Sequence, residues 1–137
     1  MSTTKQPYML LFHDIGSDAY KGMSPEQIQQ YLERFYAWYD RLHAEGRLDH
    51  GKPLEPEGRV VSGIRGERVV DGPFVESKEA IGGYFLLMVE SLDEATEIAK
   101  ECPWLEIGMK VSVRPVAESC SVAKRVNFHR PAQLAAV

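Results

Sequence analysis

Residues 82–103 read GGYFLLMVESLDEATEIAKECP, and the fold turns on this stretch. After Gly82-Gly83, residues 84–90, with the apolar run 84–89, have the pattern of a buried strand. Ser91, with Glu94 three residues on, spells a capping box. Leu92, Ala95, Ile98, Ala99 and Cys102 then recur at helical spacing until Pro103 stops the run. A strand thus passes directly into an amphipathic helix. The same order occurs earlier. YMLLFH, residues 8–13, predicts a strand covered on both faces, and a polar loop over residues 14–23 follows. Ser24 then caps a helix, with Pro25 at its first position and Gln27 completing the box. Its apolar face runs through Ile28, Tyr31, Leu32, Phe35, Tyr39 and Leu42, and Gly46 suits the position after its end.

Between these two units, residues 47–54 predict a short strand entering a Pro/Glu-rich loop, 53–58. Residues 59–65 and 68–71 are β-branched runs around Gly66-Glu67, which predicts a hairpin with a type II′ turn. Residues 109–116 alternate Val111 and Val113 with Lys110, Ser112 and Arg114, a half-buried strand. Without the hairpin the order is β-α-β-β-α-β, an α+β domain with the split βαβ of ferredoxin-like folds. Both helices would cover one face of an antiparallel sheet. The other face would need a second copy, so a homodimer is expected. The domain is read as residues 1–117, with 118–137 a C-terminal tail or arm.

A chain of 137 residues with 44% hydrophobic content suits one globular domain and excludes wholesale disorder. Its formal charge of −4 comes without a basic stripe, which argues against nucleic-acid partners. No apolar run reaches the ~20 residues of a membrane helix, and MSTTKQP lacks a hydrophobic signal core. A cytoplasmic location is expected, with no membrane partner. Cys102 and Cys120 could form one disulfide by arithmetic; two free thiols is the reading preferred here. They lack metal-ligand spacing, so neither a metal nor any cofactor is expected.

The run DGPFVESKEAIGGYF, residues 71–85, resembles the DGPF branch of the YCII-related proteins. Asp71-Gly72-Pro73-Phe74, Glu76, Lys78-Glu79 and Gly82-Gly83 carry the likeness. MLLFH (9–13), SLDEATEIAKECP (91–103) and VSVRPV (111–116) extend it over about residues 7–116. The resemblance implies a dimeric α/β-barrel of ferredoxin-like protomers. It implies less about chemistry: some members are thought to be enzymes on small molecules, using a His on the first helix and an Asp before the Pro that ends the second. LHAEGRL (42–48) resembles the end of that first helix, which sets Phe35 at the His position; Cys102 precedes Pro103 at the Asp position. Phe and Cys cannot keep a His–Asp proton relay.

Other residues carry weaker signals. His13-Asp14-Ile15-Gly16 spells HDIG, a string of helical metal-dependent phosphohydrolases, but here it ends a strand. Coincidence is the plainer reading. His13 and Asp14 still stand where pockets open, and His13 is the candidate base. Asp71 is read as a turn acceptor or as a ligand-orienting group with Glu76, Lys78 and Glu79. Phe74 would plug the core, and Gly82-Gly83 would allow strand entry or a bulge. Trp38, Tyr31 and Tyr39 are core or interface aromatics, with Tyr39 also a candidate pocket wall. His43 and His50 read as surface residues.

The expected ligand site is a small-molecule cleft between the first helix, the sheet and the DGPF loop, holding Tyr39, Asp71, Phe74, Glu76 and Lys78. Two alternatives stay open: an enzyme acting on a cyclic or carbonyl metabolite through His13, and an interaction module using the hairpin and tail. The resemblance supports the last, since DGPF-type domains can stand beside bacterial sigma factors.

Overall fold

The computed structural model describes residues 4–72 and 80–129. Its main sheet has four strands, β1 (Gln6–His13), β2 (Leu48–Pro53), β5 (Ile81–Val89) and β6 (Val111–Pro115). They lie in the order β2-β5-β1-β6, and every neighbouring pair is antiparallel. With helices α1 (Pro25–Ala44) and α2 (Leu92–Ala99) this is a ferredoxin-like α+β arrangement. Strand alternation sets the core: Tyr8, Leu10 and Phe12 of β1 and Phe85, Leu87 and Val89 of β5 are buried with Trp38 and Leu42 of α1 and Ala95, Ile98 and Ala99 of α2. Full burial of Leu10, Leu42 or Leu87 stabilises by about 1.5–3 kcal/mol each. The alternate residues Met9, Leu11, Tyr84, Leu86 and Met88 share the opposite sheet face and are only half-buried.

The first capping box forms as its sequence predicts, with Ser24 and Gln27 bonded reciprocally. The second forms only in part. Ser91 Oγ accepts the Glu94 N–H at 3.0 Å, but the Glu94 carboxylate turns to the Glu90 N–H and to Arg47 Nε, both at 3.1 Å. α2 ends at Ala99, before Cys102. Pro103 then opens a 3-10 turn, Pro103–Ile107, which buries Trp104.

The hairpin strands are β3 (Arg59–Ser62) and β4 (Arg68–Asp71), which pair as a separate two-stranded sheet. Their connection is not the two-residue turn expected at Gly66-Glu67. It spans residues 63–67, with positive φ at Gly63 (84°), Arg65 (61°) and Gly66 (66°). Three left-handed residues turn the chain more gradually, so the first strand stops at Ser62. In the tail, a short helix α3 (Ser121–Arg125) follows Cys120. Cys102 is buried and Cys120 exposed, both as free thiols. Among the described residues no helix is long and apolar enough to cross a membrane.

Candidate functional site

The site grows from an irregularity where β1 meets β5. Phe12 faces Gly83 and His13 faces Ile81, so Gly82 has no opposite residue. Of the two readings open for the glycine pair, strand entry or a bulge, this is the bulge. Asp14 N–H bonds Ala80 O at 2.8 Å, and Leu54 N–H bonds Gly82 O at 2.8 Å, drawing the chain after β2 to the same end. Gly51 lets β2 approach: a Cβ there would lie 2.5 Å from Phe85 Cδ1 and 2.7 Å from the Tyr84 carbonyl oxygen. Between this sheet end, α1 and residues 53–56 opens a cleft of about 560 Å³, within the range of small-molecule sites.

Eight of the lining residues are Phe, Tyr or Trp. Phe35 meets Phe12 edge-on at 5.8 Å, and Tyr39 meets Phe85 edge-on at 5.4 Å. Trp104 closes one end, stacked on Tyr31 at 5.3 Å and touched edge-on by Tyr20 at 5.8 Å. This end is tied to α1: Arg34 donates to both Glu106 oxygens, at 2.8 and 3.2 Å, and lies over the Tyr31 ring. The Arg34 hydrogen bond holds the Glu106 carboxyl below its ordinary value, while the bond to Glu106 raises the Tyr31 phenol. Polar groups gather where β1 ends. Burial, then the Asp14 charge, raises the Tyr20 phenol.

Of the residues expected from sequence, His13, Asp14 and Tyr39 line this cleft. His13 Nε2 is 2.6 Å from Ser112 Oγ, so one ring nitrogen is engaged across to β6. Asp14 Oδ1 accepts the Gly16 N–H at 2.9 Å, an Asx turn that uses its carboxylate structurally. Asp71 ends β4, exposed and opposite Arg59, and does not line the cleft. Phe74, Glu76 and Lys78 lie outside the described residues, as does the rest of 73–79. The described rim facing α1 is therefore the segment 53–56. Leu32, Tyr36, Leu54 and Trp104 also line the cleft and were missed. The Leu32 and Tyr36 positions on α1 were legible as one helical stripe, but nothing local marks Leu54.

No group of three or more His, Cys, Asp or Glu side chains is close enough to hold a metal among the described residues. A model of the YCII-related domain matches residues 7–118, most of the chain. The chain belongs to the YCII-related domain family. No curated protein matches it closely enough to carry a function across. At the two positions where the resemblance implies catalytic side chains, this YCII-related protein has the Phe35 ring in its cleft wall and the buried Cys102 thiol. Burial pushes that thiol up, away from the reactive thiolate. Neither position supplies the imidazole or the carboxylate of a His–Asp pair.

Proposed function

We propose that this protein, as a DGPF-branch member of its family, binds a small ring-bearing molecule in the aromatic cleft and does not act through a His–Asp relay. The cleft carries the reading: it offers aromatic faces and edges along its walls and polar groups at one end. A flat apolar body would lie between Phe35, Tyr39 and Trp104. A polar substituent would face the end held by His13 and Asp14. His13 and Asp14 are each engaged in a structural hydrogen bond, which favours ligand orientation over general-base work. The half-buried apolar sheet face supports a homodimer, and the free thiols fit a reducing cytoplasm.

The test uses 1-anilinonaphthalene-8-sulfonate, a ring-bearing anion whose emission rises in apolar sites. Saturable one-to-one binding is expected, weakened at least tenfold by the cleft-filling variant Leu32→Trp. Equal binding by the variant would overturn the reading. His13→Ala is expected to weaken binding by less than Leu32→Trp does.

A further inference from the structure

Among the described residues, β3 and β4 make no extensive contact with any strand or helix of the main sheet layer. The ribbon is nonetheless a formed unit, its base clasped by Gly72 N–H to Gly58 O at 3.0 Å. Its register places Val61 opposite Val69 on one face and Val60 opposite Val70 on the other, with Ile64 at the tip. Val61 is 62% exposed and Ile64 78%. An isolated two-stranded ribbon is marginal in water, and clustered exposed apolar residues mark contact surfaces. Arg59, Arg65 and Arg68 make no ion pair with any described residue.

The cleft mouth presents the complement. Leu32, Tyr36 and Leu54 line it and are themselves exposed. Glu33 and Asp40 fall beside Leu32 and Tyr36 on one stripe of α1. Asp14 and Glu55 add two carboxylates at the rim, against one lining cation, Lys52. The α1 cations Arg34 and Arg41 are already paired, with Glu106 and Glu101.

We propose that the β3–β4 hairpin of one copy covers the cleft mouth of a second copy, reciprocally, so that each site is completed by its partner. Valines on both faces select this occupant over the chain's own hairpin. A flap closing on its own cleft covers one face of the ribbon, whereas an arm lying between two copies is covered on both. The six residue steps from Gly58 to Ile64 reach at most about 20 Å at strand rise. That spans the mouth of a cavity which, if round, is about 10 Å across. The two-fold exchange makes the contact twice, as isologous dimers require. The ligand-binding reading gives the contact its purpose, but the test below does not involve a ligand.

The experiment uses full-length chains in a Cys120→Ser background, leaving only the buried Cys102. An Ile64→Cys protein and a Tyr36→Cys protein are co-expressed and oxidised with diamide. A covalent dimer of about 31 kDa, twice the 15.5 kDa chain, is expected from the mixture and not from either variant alone. No such band, or a chain carrying both substitutions that closes only on itself, would overturn the proposal. In parallel, the exposed variant Val61→Lys is expected to raise the dimer dissociation constant at least tenfold by ultracentrifugation, with circular dichroism unchanged. An unchanged constant with native dichroism would count against it. Failure of the anilinonaphthalene titration alone would remove the ligand and leave the arm exchange standing.

Discussion

The wall formed by α1 and the 3-10 turn Pro103–Ile107 contrasts with the β3–β4 hairpin, no residue of which lines the cleft. On the wall, Trp38 and Trp104 are buried, Tyr31 stacks on Trp104, and Arg34 clamps Glu106. On the hairpin, Val61, Val69 and Ile64 stand in solvent, and three guanidiniums have no described ion-pair partner. Both are locally regular. The difference is where their apolar side chains are satisfied: within the chain for the wall, outside it for the hairpin. Stability should therefore reside in the wall, and association in the hairpin.

The largest expected effect is on the wall. Trp38→Ala should cost about 3–5 kcal/mol by urea unfolding, because a fully packed indole is lost together with its bond to Glu101. A cost near zero would break the comparison. Gly51→Ala should cost about 1–3 kcal/mol, since the new methyl meets the Phe85 ring and the Tyr84 carbonyl oxygen. Gly82→Ala meets nothing nearer than 3.8 Å and should cost less than Gly51→Ala.

The Arg34–Glu106 clamp sharpens the contrast through pH. The Glu106 carboxyl titrates lower in the folded chain than its ordinary 4.5. Its contribution is therefore fully present above pH 4.5 and is lost as pH falls through the folded value. The urea midpoint of Glu106→Gln should lie slightly below that of the parent at neutral pH, and the gap should close in acid. The pair is exposed, so the gap is small. The smallest effect belongs to the hairpin: Val69→Ser should change stability by less than about 0.5 kcal/mol in chains diluted to monomer.

Much of this architecture was legible because its signals are local. Ser24 with Gln27, and Gly46 with φ 73°, bracket α1 as read from sequence. Where tertiary contacts compete, the reading missed. Glu94 is drawn off by Arg47, so the second capping box does not close. The hairpin tip was misplaced because Arg65, a non-glycine residue, adopts positive φ, which no pattern announces. Pro103 was read as a stop, yet it begins the turn that carries Trp104 into the cleft. The place of His13 and Asp14 in the cleft lining was legible because a strand end is visible in sequence. Leu54 was not, because it reaches the rim through a backbone bond to Gly82, 28 residues away.

The central claim is that the aromatic cleft, and no other apolar surface of the chain, takes up a small molecule. Amide NMR spectra recorded while adding 1-anilinonaphthalene-8-sulfonate test it most directly. The account predicts saturable shifts at Gly51, Leu54, Gly82 and Gly83, with the amides of Val61 and Val69 moving little. Shifts centred on the hairpin valines, or on Leu86 and Met88 of the open sheet face, would contradict it.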